Sequence, residues 1–103
     1  MAVVRNRIRL DLNNPEFLNV FFALQADELK QVVASLRRLH ELDWNSLYRH
    51  TGLRWEAIEH LRAPNGSKVH SLRLSQRIRA LAFREGDFLR LISLHPEHDS
   101  AYE

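Results

Sequence analysis

Arg73 and Arg79 stand on either side of Ser75-Gln76-Arg77, and His95 opens the run His95-Pro96-Glu97-His98-Asp99-Ser100-Ala101-Tyr102. Guanidinium groups are planar forks that match phosphate oxygens. If the segments flanking a loop of Ser75, Gln76 and Arg77 pair as antiparallel strands, Arg73 lies opposite Arg79 and both share one face. Like charges directly across a ladder destabilise by up to about 1 kcal/mol. An anion bound between them would reverse that cost. Alternatively, the arginines lie on a solvent face and pair with Glu56, Glu59 or Glu85.

The terminal run admits three readings. Its density of proton-transfer groups suits general acid-base catalysis, since histidine titrates near pH 6.5. His95, His98 and Asp99 could instead hold a metal. The third reading is a polar chain end without a role. His95 reaches the arginines' face if Glu85-Gly86-Asp87 forms a three-residue loop. A two-residue loop turns it away and leaves the role to His98.

Charge divides along the chain. Between Leu10 and His60 acids outnumber bases, whereas Arg62, Lys68, Arg73, Arg77, Arg79, Arg84 and Arg90 in the following stretch face only Glu85 and Asp87. A polyanionic partner is one inference, with Arg77, Arg84 and Arg90 as solvated charges that add long-range attraction. A preference for arginine codons is the other. Trp44, Trp55 and Tyr48 could stack on bases but are placed in the core. The even spacing of His40, His50, His60 and His70 carries no interpretable pattern.

These groups need elements to hold them. Ile8, Leu10 and Leu12 alternate with Arg7, Arg9 and Asp11, which predicts a half-buried strand over Arg7–Leu12. Asn14 then caps a helix from Pro15, and a break near Gln25 to Asp27 begins a second helix, with Leu29, Val32, Val33, Leu36 and Leu39 as its core stripe; the alternative is one bent helix to about His40. Asp43 caps a short third helix that stops at Thr51-Gly52. Leu53 to Leu61 reads as a strand, although Trp55, Ile58 and Leu61 also suit a helix; Ala63-Pro64-Asn65-Gly66 reads as a turn, and Lys68 to Ser75, Arg77 to Arg84 and Asp87 to Leu94 as an antiparallel meander. The order predicts an α+β fold: an N-terminal strand and two or three helices packed on a C-terminal antiparallel β-meander.

With 103 residues, 45% of them apolar and 27% charged, the chain is expected to form one domain over 1–103. The absence of cysteine excludes disulfides, thiolate metal sites and a cysteine nucleophile. Neither a signal peptide nor a long apolar run is recognisable, so a cytoplasmic location without membrane contact is expected.

The stretch from Gly66 to His95, with Ser71-Leu72-Arg73-Leu74, Gln76-Arg77-Ile78-Arg79, the hairpin Phe83-Arg84-Glu85-Gly86-Asp87 and the terminal Leu94-His95, resembles the second half of the RelE/ParE toxin superfamily. It is most similar to the HigB-like branch, whose pattern reads S-I-R-[IV]-N-x-Q-[YW]-R-[IV], a glycine hairpin and a terminal histidine. The chain departs from it at Ser75, where the branch has asparagine, and at Ile78, where it has an aromatic. The resemblance implies a RelE-like toxin with a cognate antitoxin. It further implies a metal-free endoribonuclease, without cofactor, that cuts mRNA on the ribosome by attack of a 2′-hydroxyl on the adjacent phosphate. Arg73 and Arg79 match the phosphate-contacting arginines, and His95 matches the terminal acid or base, with His98, Asp99 and Tyr102 as possible partners. Arg62, Lys68, Arg77, Arg84 and Arg90 would attract the RNA. Two alternatives share the resemblance: a ParE-like inhibitor of DNA gyrase, and a relative that binds RNA or antitoxin without cutting.

Overall fold

A computed structural model describes residues 7–96. Strand β1 (Arg9–Asp11) leads into helices α1 (Pro15–Ala23), α2 (Ala26–Glu41) and α3 (Trp44–Arg49), followed by strands β2 (Glu56–Arg62), β3 (Lys68–Arg73), β4 (Ile78–Glu85) and β5 (Phe88–Pro96). The fold is α+β as expected. One five-stranded sheet has the order β1-β5-β4-β3-β2, with β1 parallel to β5 and every other pair antiparallel.

Capping chemistry places the helices. The Asn14 side chain accepts the Glu16 N–H, Pro15 occupies the first turn and Glu16 faces the positive end of the α1 dipole. After Ala23 the chain turns extended at Leu24 and Gln25 before α2 begins. Asp43 caps α3 by accepting the Ser46 N–H. Helix α3 ends at Arg49 rather than at Thr51-Gly52, because His50 closes the helix and its Nδ1 accepts the Leu53 N–H at 3.1 Å.

The first strand is shorter than expected. Arg7 forms a bridge with Asp43 and the Ile8 N–H donates to Leu42, so these residues pair with the α2–α3 junction instead of the sheet. Strand β2 starts at Glu56, after Arg54 adopts a left-handed φ of 53°. Its register with β3 shifts between Ile58 and Arg62.

Alternation along β4 defines the two faces of the sheet. Ile78, Ala80 and Ala82 are buried in one cluster with Leu72, Leu74, Leu89, Leu91 and Leu94 of the neighbouring strands and with Phe17, Val32, Leu36, Leu39, Trp44 and Leu47 of the helices. The intervening Arg79, Leu81 and Phe83 are half-buried on the opposite, open face. Within the expected α2 stripe, Val32, Leu36 and Leu39 are core, but Val33 is 38% exposed because it lies on the solvent side of the helix. Tyr48 is likewise exposed instead of finishing the core. Trp44 is buried and packs edge-on against Trp55, whose ring stacks on His70 at 4.3 Å.

Leu72 is fully buried between the sheet and the helices. Leu72→Ala is expected to lower the unfolding free energy by about 2 to 5 kcal/mol, whereas Val33→Ser should stay within about 0.5 kcal/mol. Urea titrations of the two variants check the pair.

Candidate active site

Residues directly opposed on antiparallel strands share a face. The ladder sets Arg73 opposite Arg79 and Arg79 opposite His95. One rung across β3, β4 and β5 therefore carries two guanidiniums and an imidazole on the open side of the sheet. The adjoining rung carries Ser71, Leu81 and Ser93, with Glu56 of β2 opposite Ser71.

The arginine pair follows from the expected loop, as the Leu74 N–H donates to Ile78 and Ser75, Gln76 and Arg77 make the connection. His95 arrives by another route. Glu85 pairs with Phe88, so the β4–β5 loop is the two residues Gly86 and Asp87 and not the three-residue Glu85-Gly86-Asp87. Gly86 has φ +62°, as the first central position of a type II′ hairpin requires. Carried on unbroken, that register would set Leu94 opposite Arg79 and turn His95 to the helix side. A β-bulge prevents this: Leu91 pairs with Ala82 and Ser93 with Leu81, leaving Ile92 as an additional residue on β5. The extra residue reverses parity, and His95 keeps the position that a two-residue loop was expected to deny it.

Around this row the electrostatics are uneven. The Arg73 Nε is buried and has no hydrogen-bond partner among the described residues. His95 is half-buried, its Nε2 lies 2.8 Å from the Ser93 Oγ, and burial pushes its pKa below the ordinary histidine value while the nearby Glu16 carboxylate partly offsets the shift. Neutral imidazole beside two cations can accept a proton at neutral pH, and the guanidiniums can stabilise charge developing on a phosphate.

The remaining candidates are spread more widely. Lys68 lies opposite Arg62 at the far end of β2 and β3, where it pairs with Glu59 at 3.6 Å and Arg62 donates to the Glu59 and Leu61 carbonyls. Arg77 sits exposed in the β3–β4 loop, next to the row. Arg90 is on the open face but bonds Glu85 and Asp11, which raises its own pKa and, behind the Asn13 N–H, lowers that of Asp11. Arg84 is on the helix side: its guanidinium lies 4.4 Å from the Trp44 ring centre and donates to the Tyr48 hydroxyl. Strand parity puts it on this side with Ala82, and its aromatic partners on α3 cover it there, contrary to the expectation of a solvated charge. His98, Asp99 and Tyr102 lie outside the described residues.

Beyond Leu81 the open face continues as a groove of about 450 Å³ walled by Leu61, Val69, Phe83 and Ile92, with Asp11 and Arg90 at its rim. It lies within the usual range of ligand clefts.

No family model matches the sequence, and no curated protein matches it. Solved structures do match in shape. The archaeal RelE–RelB complex from Pyrococcus horikoshii OT3 contains a chain that superposes with a TM-score of 0.64 at 10% identity, over 91% of this chain and 99% of that one. This is a RelE-like toxin fold. The YoeB dimer from Staphylococcus aureus agrees with a TM-score of 0.51 at 16% identity, over 89% of this chain and 99% of that one.

Two residues beside this row had no place among the sequence candidates. Ser93 needed the bulge, whose trace is the spacing of Leu89, Leu91 and Leu94, where the inward period of two slips by one residue. Glu16 needed the packing of α1 against β5, and its helix-capping position gave it a sufficient local explanation.

Because burial depresses the pKa of both His95 and His70, the unfolded chain binds more protons than the folded one just below pH 6.5. Their contribution to stability is full above that pH and is lost as pH falls through the window beneath it. NMR titration should place His95 below an ordinary histidine, and Glu16→Gln should move it lower still. An unchanged midpoint in that variant would contradict the assigned role of Glu16.

Proposed function

We propose that this protein is the toxin of a toxin–antitoxin pair and a metal-free endoribonuclease acting on ribosome-associated mRNA in the cytoplasm. The observation that carries the reading is the single rung of Arg73, Arg79 and His95 on the open face of the sheet. It supports the transfer of roles implied by the HigB-like resemblance, whose three matched positions are distant in sequence and adjacent in space.

A phosphodiester bound at this row meets the Arg73 and Arg79 donors, among them the buried Arg73 Nε–H, which has no partner among the described residues. Neutral His95 takes the proton from the ribose 2′-hydroxyl. The 2′-oxygen forms a bond to phosphorus as the bond from phosphorus to the 5′-oxygen breaks, and an acid protonates that oxygen. The products are a 2′,3′-cyclic phosphate and a 5′-hydroxyl. Charge on the phosphoryl oxygens increases between ground and transition state, so the guanidiniums stabilise the latter more. In-line displacement sets the leaving oxygen opposite the attacking one, and so assigns the acid to a group other than His95. His98, Asp99 and Tyr102 are the candidates by sequence.

The solved RelE–RelB complex supports a protein antitoxin as partner. In this reading acidic antitoxin residues would answer Arg73 and Arg79.

Tightly controlled expression with mapping of mRNA 5′ ends tests the proposal. The wild-type chain should stop growth and generate new ends on translated messages. Arg79→Ala should reduce cleavage roughly 100- to 1,000-fold, and His95→Ala roughly 100- to 10,000-fold. Intact transcripts with normal translation would refute the ribonuclease reading, and loss of gyrase supercoiling under those conditions would assign the ParE-like alternative.

A further inference from the structure

We propose that Ser93 is a positioning residue that holds His95 by Nε2–H and presents the Nδ1 lone pair to the reacting hydroxyl. This deepens the ribonuclease reading and rests on it for the identity of that hydroxyl.

Ser93 is 5% exposed and sits on the rung next to the row, opposite Leu81 and beside the apolar wall of the groove. A hydroxyl in such surroundings needs a partner. Among the described residues that partner is the His95 Nε2, at 2.8 Å. The contact is local to β5, because residues two apart on a strand face the same way. The bulge at Ile92 therefore carries both to the arginines' side together.

Two tautomers fit a bond between Oγ and Nε2. If the serine donated, Nδ1 would carry a proton and could not accept another, and the hydroxyl would have to rotate when the ring became charged. If Nε2–H donates, Nδ1 keeps its lone pair, and the same bond persists unchanged in the imidazolium formed after proton uptake. Only the second arrangement needs no reorganisation during the transfer. Glu16 supplies the negative charge that offsets burial once the ring is protonated.

The decisive measurement is a ¹⁵N spectrum of histidine-labelled full-length protein at pH 7.5, read together with single-turnover cleavage of ribosome-bound mRNA. Wild-type His95 should show a protonated Nε2 in slow exchange and an unprotonated Nδ1. Ser93→Ala should expose that proton to rapid exchange and slow the chemical step roughly tenfold with KM unchanged. Ser93→Thr, which restores the hydroxyl, should recover both. An Nδ1–H tautomer in the wild type, or a slow Nε2–H signal that survives in Ser93→Ala, would overturn the proposal. Because the tautomer is read without RNA, a locked ring in a protein that cuts no message would leave Ser93 its positioning role and refute the ribonuclease reading alone.

Discussion

Strand register is the constraint on which everything else depends. The side-chain period of a strand is two, so sliding one of the central strands by one residue would exchange the core set for the open-face set along its whole length. Ile78, Ala80 and Ala82 resist that slip, since they sit among Leu72, Leu74, Leu91 and Leu94 under the helices. The alanines also matter for their size. They let the helical layer approach the middle of the sheet, where a longer side chain would hold it off. Apolar packing on one face thus holds polar chemistry in line on the other.

The two ends of the open face are electrostatically distinct. At one end Arg90 is shared between Asp11 and Glu85 and lies over the Phe88 ring, tying β1, β4 and β5 together. At the other, Arg73 and Arg79 face each other across a ladder beside a histidine whose pKa is pushed down by burial. Between them Leu81 and Phe83 keep the surface apolar. The arginine that ties three strands together is thus separated from the two that flank the histidine, a distinction that net charge does not express.

Much of this was legible in the residues. The Asn14 and Asp43 caps, the break near Gln25, the order of elements and the opposition of Arg73 and Arg79 all arise from short-range chemistry: a side chain capping its own helix, or a loop whose length sets the register of the strands it joins. What escaped reading was non-local. Arg84 shares the helix side of β4 with Ala82, and there Trp44 and Tyr48, distant in sequence, offer it aromatic surface. Val33 and Tyr48 belong to apolar patterns that do not say where the sheet ends. The placement of His95 depended on two features acting together, and the loop alone pointed to the wrong face.

Those two features, the Gly86-Asp87 turn and the extra residue at Ile92, make up a single quantity. What the site requires is not a given hairpin length but an odd-or-even count between Arg79 and His95, and turn and bulge each contribute one step to it. A homologous chain could lose the bulge if its turn grew by one residue, or lengthen its turn if it gained a second bulge, and still bring a histidine across from an arginine. Alignment column by column would score such a chain as having a gap in the middle of its best-matched region. Loop length and strand irregularity should then vary together across relatives while the face of the histidine stays the same, and the conserved feature would be a parity that no single position records.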